Sequence, residues 1–354
     1  VAEKLAKAEF PIIIAQHGAG SAEAFAALGD LAERWAIPVC HYWAVQIAIS
    51  TNHPMYSGID PKGLLERADL VIVLDSLAPW SQQAHTARDD ATVVHIGPDP
   101  LKARMPIRNF RSDISMACEL ANGILALAAA MDTVEPGEAV DARRAGIIDR
   151  NTATRKAAIE RAEIGREGTM TADYVALKVS QALAGREAVL LSERGCPMPA
   201  MTLDHHRAWY QEPHAGGLGW SFPAALGMQL ADREQLVVAT MGDGSYMFAN
   251  PVACHQIAEA LELPLLVIIM NNAEWAAVRH SVLDIYPDGY ASKTNQMPLT
   301  ALSPIPDFIK VAEASRAYAR RVENADALET ELAGAIDHVS QKRTLALLDI
   351  TIRN

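Results

Sequence analysis

Short aliphatic runs alternate with helical patterns along the first third of the chain. The apolar runs occupy residues 11–16, 37–42, 68–76 and 91–97, and a helical pattern from Ser21 to Trp35 follows the first. Each run is continuously apolar rather than alternating with polar residues, which is typical of parallel strands covered on both faces. Residues 1–130 are therefore predicted to form one doubly wound α/β domain.

A second series of the same kind occupies the C-terminal half. Thr171 can cap a helix that runs to Leu183, and strands are predicted at 187–193, 234–241, 263–270 and 344–352. Residues 131–168, between the two series, are charged and contain few large apolar side chains, as in a linker with an exposed helix. The predicted fold class is α/β, with two doubly wound parallel sheets in a central domain, 1–130, and a second domain, 169–354.

Composition and charge restrict the classes of partner. The 354 residues carry a formal net charge of −12, which argues against binding to nucleic acid or to an anionic membrane surface. The longest apolar run, 263–270, is too short to span a membrane. The four cysteines are far apart and form no CxxC motif, so we expect reduced thiols in a cytoplasmic protein.

Two polar clusters interrupt the apolar pattern, each directly after a predicted strand. The first is Gly-Asp-Gly-Ser at 242–245, predicted as a loop, and the second is Asn271-Asn272. Between them, Asn250 and Pro251 supply an N-cap and a first-turn proline for a helix, so the segment is predicted to be a βαβ crossover. Both clusters then fall at the carboxyl edge of one parallel sheet, where open α/β sheets bind ligands.

The side chains of these clusters favour a hard cation and a phosphate. The Asp243 carboxylate and the asparagine amide oxygens suit Mg²⁺ or Ca²⁺ rather than zinc. Gly242 and Gly244 allow backbone amides to approach a phosphate closely, and Ser245 adds a hydroxyl group. Either cluster alone is typical of an ordinary turn or polar loop. Together, twenty-nine residues apart (243 to 272), they predict a magnesium–diphosphate site.

The GDG and NN clusters at this spacing resemble the cofactor-diphosphate motif of thiamine diphosphate (ThDP) enzymes. Residues 214–227, HAGGLGWSFPAALG, resemble a segment of the benzoylformate decarboxylase and acetolactate synthase group. Residues 68–80 and the rest of the first domain resemble that group's central domain. The resemblance covers nearly the whole chain and implies a central domain followed by a diphosphate-binding domain.

The resemblance implies a role for each cluster residue. Asp243 and Asn272 would ligate Mg²⁺, with the backbone carbonyl of Glu274 as a third ligand, and Gly244 and Ser245 would hold the diphosphate.

In the upstream segment, Leu218 would be the apolar prop beneath the cofactor that enforces its bent conformation. The carbonyl of Gly216, next to Gly217, would accept a hydrogen bond from the cofactor's amine. His214 is a candidate to face the cofactor, and no other residue of the chain is predicted to be catalytic.

Three further segments carry weaker predictions. Residues 191–197 end a strand, and the resemblance makes Glu193 and Cys196 candidate diphosphate contacts, although an ordinary βα loop fits as well. After the NN cluster, the resemblance places Ala277, Val278 and Ser281 in a substrate pocket with room for a sizeable acyl group. Residues 286–308 are rich in turn residues and are either an active-site lid or a plain surface loop.

The first domain offers an incomplete dinucleotide motif. Gly18 and Gly20 follow the first strand, but the third glycine position is Glu23 and the next strand ends without an acidic residue. A tight βα turn is the preferred interpretation. FAD binding is not expected, although a nucleotide-binding α/β protein is retained as an alternative.

Members of this group also carry a pyrimidine-binding domain, which supplies the glutamate that activates the cofactor. We expect that domain to be absent from these 354 residues and to come from a separate or cleaved chain in a homo- or hetero-oligomer.

The predicted function is that of a ThDP- and Mg²⁺-dependent lyase or transferase acting on 2-oxo acids, by decarboxylation or by carbon–carbon ligation or cleavage. A noncatalytic, regulatory ThDP-binding subunit and a 2-hydroxyacyl-CoA lyase-like enzyme are the alternatives.

Overall fold

The computed structural model describes residues 1–212, 217–294, 297 and 299–353, and the chain forms two compact units. Unit 1 comprises Val1–Ile159 and Met201–Tyr210, and unit 2 comprises Glu160–Ala200 and Gln211–Asn354. This division does not coincide with boundaries at residues 130 and 168, because it falls inside a long helix and returns residues 201–210 to unit 1.

The strands carry the two sheets. In chain order they are β1 Pro11–Ala15, β2 Val39–Cys40, β3 Leu70–Leu74, β4 Thr92–Gly97, β5 Ile114–Ala117, β6 Met170–Thr171, β7 Ala188–Glu193, β8 Trp209–Gln211, β9 Leu236–Gly242, β10 Leu265–Asn271, β11 Tyr318–Val322 and β12 Ala346–Arg353.

The helices connect the strands. They are α1 Ala2–Lys7, α2 Ala22–Arg34, α3 Lys62–Leu65, α4 Leu120–Asp132, α5 Glu138–Ile164, α6 Ala172–Ala182, α7 Ser221–Ala231, α8 Asp243–Phe248, α9 Pro251–Ala260, α10 Ala276–Ile285, α11 Tyr290–Thr294, α12 Phe308–Glu313 and α13 Ala325–Lys342. A 3₁₀ turn spans Met198–Ala200.

Unit 1 contains a parallel sheet in the order β2-β1-β3-β4-β5. Every residue of β1 and β3 is buried, as the continuous apolar runs predicted. The edge strand β5 was not predicted, since its sequence ISMA is short and its residues alternate between half-buried and exposed. Edge strands pack on fewer neighbours, which weakens the apolar signal in their sequences.

Unit 2 contains a parallel sheet in which β11, β12, β10, β9 and β7 are neighbours in that order. The short strand β6 pairs with the end of β12. Both sheets are therefore parallel and covered by helices, and the predicted α/β class is confirmed. The strand β11 was missed because its sequence, YARRV, exposes two arginines.

The helix α5 lies within residues 131–168, which were predicted to be a linker with an exposed helix. Its charged sequence has no strong apolar stripe, yet Val140 and Ile147 are buried in the core of unit 1. The expected cap of α6 is confirmed, since the Thr171 hydroxyl oxygen accepts a hydrogen bond from the backbone N–H of Tyr174 at 3.3 Å.

Two local expectations in unit 2 were wrong. Residues 243–248 form the short helix α8 instead of a loop, with Gly242 at its N-cap. Asn250 occupies the N-cap position of α9 in the left-handed conformation, φ 53°, and its side chain makes no capping bond. Pro251 does stand in the first turn.

No described helix is both long and apolar enough to cross a membrane. The four cysteines are free thiols.

Three buried histidines are held neutral by the fold. Burial lowers the pKa of His41 to about 3 and those of His95 and His255 to about 4. His41 Nε2 accepts from the backbone N–H of Ala48, at 3.1 Å. His255 Nε2 lies 2.7 Å from the Tyr246 hydroxyl oxygen, which ties α9 to α8. These imidazoles must gain protons when the chain unfolds in mild acid.

We expect the free energy of unfolding to fall as the pH drops from about 6.5 to about 4. Each such histidine has a native pKa below its unfolded value, so its contribution is complete above the unfolded pKa and is lost on acidification. The slope is at most about 1.4 kcal/mol per pH unit for each histidine. Denaturant titrations at pH 7 and pH 5 measure it. The variant His255→Gln should show a smaller slope than the wild type or the exposed control His280→Gln, and equal slopes would contradict the assignment.

Candidate active site

Parallel pairing of β9 and β10 brings the two polar clusters together. Met270 is the register partner of Gly242, so the residues that follow each strand emerge at the same carboxyl edge of the sheet. The predicted proximity of Asp243 to the NN cluster is therefore present in the fold.

Asp243 is a buried carboxylate with an unsatisfied oxygen. The residue is 2% exposed, and its Oδ1 accepts from the backbone N–H of Gly244 at 2.7 Å. Its Oδ2 is buried and has no hydrogen-bond partner among the described residues. Burial raises the pKa of this carboxyl, and the backbone N–H groups of Gly244 and residues 272–274 oppose the rise. A bound cation would satisfy the orphan oxygen, which is otherwise costly to bury.

The two asparagines of the NN cluster differ in their contacts. Asn271 Nδ2 donates to Asp349 at 2.8 Å and its Oδ1 accepts from the N–H of Ala273 at 3.1 Å. Asn272 Oδ1 accepts from the N–H of Glu274 at 3.1 Å. Both asparagines therefore help to shape the loop, and ligation of a cation by Asn272 stays a prediction.

Asp349 is a site residue that sequence reasoning missed. It lies in the middle of β12, is 0% exposed, and accepts from Asn271 and from Nε of Arg321 at 3.1 Å. A charged residue inside the apolar run 344–352 was the available signal, since a buried carboxylate needs partners.

Glu274 connects the NN loop to the segment predicted as a lid or surface loop. Its side chain accepts from the Thr300 hydroxyl at 3.0 Å and lies 3.5 Å from Nη1 of Arg279. The N–H of Trp275 donates to the Thr300 carbonyl at 2.7 Å. The segment is thus hydrogen-bonded at Thr300 to the loop that follows β10, and movement as a lid stays a prediction.

Packing explains one of the two glycines in the GDG cluster. A Cβ on Gly244 would lie 2.2 Å from the Trp275 ring, so only glycine fits beneath that indole. A Cβ on Gly242 would meet nothing closer than 3.9 Å. Gly242 therefore leaves open space at the edge where a phosphate was predicted, and Ser245 is buried.

The upstream segment is held by a residue predicted as a cofactor contact. Both carboxylate oxygens of Glu193 accept backbone hydrogen bonds, from Gly219 at 2.6 Å and from Ser221 at 2.7 Å. Leu218 is 44% exposed, and a Cβ on Gly217 would enter open space. The predicted residues His214 and Gly216 lie outside the described residues.

No three described side chains of histidine, cysteine, aspartate or glutamate cluster as metal ligands would. A cation at this edge would therefore depend on Asp243 together with amide and carbonyl oxygens, a donor set that fits Mg²⁺.

Comparison with protein families covers both units. Residues 1–131 match the thiamine pyrophosphate enzyme central domain, and residues 195–350 match the thiamine pyrophosphate enzyme C-terminal TPP binding domain. The chain belongs to the thiamine pyrophosphate enzymes. Thiamine pyrophosphate is ThDP, so the family inferred from the GDG, NN and GGLG clusters is confirmed. No pyrimidine-binding domain was found within these residues.

Curated relatives include acetolactate synthases. The chain is 27% identical over 346 residues to the acetolactate synthase of Mycobacterium leprae, and the match covers 91% of this chain and 52% of the relative. It is 30% identical over 151 residues to acetolactate synthase isozyme 3 large subunit of Escherichia coli, covering 42% of this chain and 24% of the relative. The chain spans about half the length of the relatives that it matches from end to end.

Solved structures share the fold. The ThDP-dependent 4-hydroxybenzoylformate decarboxylase of Rhodococcus jostii RHA1 superposes with a TM-score of 0.77 at 21% identity, covering 99% of this chain and 63% of the other. Benzoylformate decarboxylase from Polynucleobacter necessarius superposes with a TM-score of 0.73 at 19% identity, covering 99% of this chain and 63% of the other.

Cys196 of this ThDP-family chain is buried, at 2% exposed. Burial raises the pKa of its thiol to about 12, so the group is neutral. Its backbone N–H donates to the Thr240 hydroxyl at 3.2 Å, which ties the β7 loop to β9. A contact between Cys196 and the diphosphate stays a prediction.

The predicted pocket residues share an accessible face of α10. Ala277, Val278 and Ser281 are exposed, and Ser281 Oγ donates to the Ala277 carbonyl at 2.9 Å. Their side chains are therefore available to a ligand, and the pocket itself stays a prediction.

In unit 1, local geometry accounts for the glycines of the incomplete dinucleotide motif. Gly18 and Gly20 have φ angles of 74° and 85°, which favour glycine. Cβ atoms there would come within 3.0 Å of Gln46 and Ala121. The preferred tight-turn interpretation thus needs no nucleotide.

Removing the Asp349 charge tests its role in shaping the NN loop. In Asp349→Asn, one amide N–H would face the donor of Asn271 or Arg321, so we expect a loss of about 2 kcal/mol in the free energy of unfolding. Denaturant titration measures it. The control is Asp307→Asn, since Asp307 contacts the same arginine at 3.4 Å on the surface, and its effect should stay within about 0.5 kcal/mol. Equal effects would contradict a special role for Asp349.

Proposed function

We propose that this chain binds ThDP with Mg²⁺ and serves an enzyme that decarboxylates 2-oxo acids or joins and cleaves carbon–carbon bonds, in the manner of acetolactate synthase. The observation that carries the proposal is the buried Oδ2 of Asp243, which has no hydrogen-bond partner in the described part of the chain, beside the NN loop of a TPP-binding domain. Acetolactate synthases among the relatives support this reaction class.

In this proposal the cation is held by Asp243, Asn272 and the backbone carbonyl of Glu274. The open edge at Gly242, with Gly244 and Ser245 behind it, receives the diphosphate. Leu218 supports the ring portion of the cofactor from below. ThDP, when bound, supplies a stabilised carbanion, and the protein supplies binding, orientation and electrostatics.

In this proposal the exposed face of α10 lines the substrate pocket. Ala277, Val278 and Ser281 present small and medium side chains, which would leave room for a sizeable acyl group. A 2-oxo acid decarboxylase, a carboligase and a 2-hydroxyacyl-CoA lyase-like enzyme all use such a pocket with this cofactor.

We also propose that turnover needs a pyrimidine-binding domain, which supplies the activating glutamate within a cytoplasmic oligomer. Exposed apolar side chains near the site support a protein partner there: Leu218, Met247, Phe248 and Val252 are 37–62% exposed. Large exposed apolar side chains grouped in this way are typical of interaction surfaces. A noncatalytic ThDP-binding subunit is the alternative.

Neutralising Asp243 tests the cofactor site directly. In Asp243→Asn, calorimetric affinity for ThDP with Mg²⁺ should fall about a hundredfold or more, because the carboxylate supplies the formal charge that holds the cation. The variant Asp337→Asn, exposed on α13, is the control and should bind as the wild type does. Unchanged affinity in Asp243→Asn would contradict the site.

Reconstitution separates the enzyme from the noncatalytic alternative. The chain is mixed with a pyrimidine-binding domain of an acetolactate synthase, and CO₂ release from a panel of 2-oxo acids is measured. Turnover by the mixture but by neither component supports the proposed enzyme. Tight ThDP binding without turnover, with every domain tested, favours the noncatalytic subunit.

A further inference from the structure

Glu193 is a buried acid whose two oxygens are both used within the protein. It is the last residue of β7 and is 1% exposed. Its Oε1 accepts from the backbone N–H of Gly219 and its Oε2 from that of Ser221, at 2.6 and 2.7 Å. Hydrogen bonds to an ionised acceptor are the short and strong kind. One side chain therefore fixes two points of the backbone just after Leu218.

The same backbone is also fixed from its other side. Gly219 has a φ of 94°, and a Cβ there would lie 2.6 Å from the backbone carbonyl of Phe248 and 2.7 Å from the nitrogen of Ala249. Gly219 is thus held between Glu193 and the end of α8. Leu218, directly before it, keeps 44% of its surface exposed. The result is an apolar side chain presented from a rigid backbone.

Charge argues against a direct role for Glu193 at the diphosphate. Its carboxylate is occupied by the N–H groups at the start of α7, whose positive dipole end stabilises it. A carboxylate facing a diphosphate would repel it unless a cation lay between them. The candidate diphosphate contact is therefore better explained as a support.

We propose that Glu193 is a positioning residue that sets Leu218 in place to support the ring portion of ThDP, and that it does not bind the diphosphate. This rests on the proposed function. Without the carboxylate, Gly219 and Ser221 lose their partners and Leu218 loses its fixed position. The proposed anchoring residues lie elsewhere, Asp243 at the start of α8 and Asn272 just after β10, and neither bonds to Glu193.

The test compares two ligands by calorimetry in the full chain. The affinity for ThDP with Mg²⁺ depends on both the diphosphate site at Asp243 and Asn272 and the support by Leu218. The affinity for inorganic pyrophosphate with Mg²⁺ depends on the diphosphate site alone. Glu193→Gln should lower the affinity for ThDP about tenfold or more, because the charge-assisted hydrogen bonds to Gly219 and Ser221 are lost. Pyrophosphate affinity should stay unchanged or rise. Equal weakening of both ligands would overturn the proposal.

A double-mutant cycle shows whether Glu193 acts through Leu218. Leu218→Ala alone should reduce the affinity for ThDP to a similar extent. The double variant should bind ThDP no less tightly than whichever single variant has the lower affinity. Full additivity would overturn the proposal. Glu234→Gln, an exposed acid of the same unit paired with Arg343, is the control and should leave both affinities unchanged.

Hydrogen exchange of the cofactor-free chain judges the positioning independently of cofactor binding. The amides of Gly219 and Ser221 should be protected in the wild type and exchange at least about tenfold faster in Glu193→Gln. If that variant fails to fold, Glu193→Asp, one methylene shorter, replaces it. Unprotected amides in the wild type, or protection retained in a folded variant, would overturn the proposal. Failure of wild-type chain to bind ThDP would instead count against the proposed function.

Discussion

The site depends on the parallel register of β9 and β10. That pairing places Gly242 beside Met270, so the chain leaves both strands at one edge and delivers Asp243 next to the NN loop. The two strands are almost entirely buried, which makes a register shift costly because it would expose apolar faces or bury polar ones. The hydrophobic core therefore fixes the distance between the polar clusters before any ligand is present.

Three buried carboxylates near this edge differ in their hydrogen-bond partners. Glu193 and Asp349 satisfy both of their oxygens with protein donors and so shape the backbone of the GGLG and NN segments. Asp243 satisfies one oxygen, and its other oxygen has no partner among the residues that the structure describes. Because unsatisfied buried oxygens are costly, this difference distinguishes Asp243, the proposed cation ligand, from the two acids that hold the backbone.

Much of the fold could be predicted from the sequence because the central strands are buried on both faces. The runs at β1, β3, β9 and β10 are continuously apolar for that reason, and their predicted positions are close to those in the structure. The edge strands β5 and β11 were missed because two residues of each are exposed, which breaks the apolar run in their short sequences. Residues 131–168 were predicted to be a linker with an exposed helix, and the structure forms α5 there, whose few buried residues give no clear apolar stripe.

The sequence by itself determined the family, the parallel α/β class and the sheet edge at which the two polar clusters meet, since these depend on local patterns of apolar runs, glycines and short polar clusters. Only the tertiary structure decided what each polar residue does. Glu193 and Asp349 bond to residues that lie 26 and 78 positions away along the chain. The ring of Trp275, which follows β10, leaves room only for glycine at position 244. Such roles arise from contacts between distant segments, which no local pattern in the chain records.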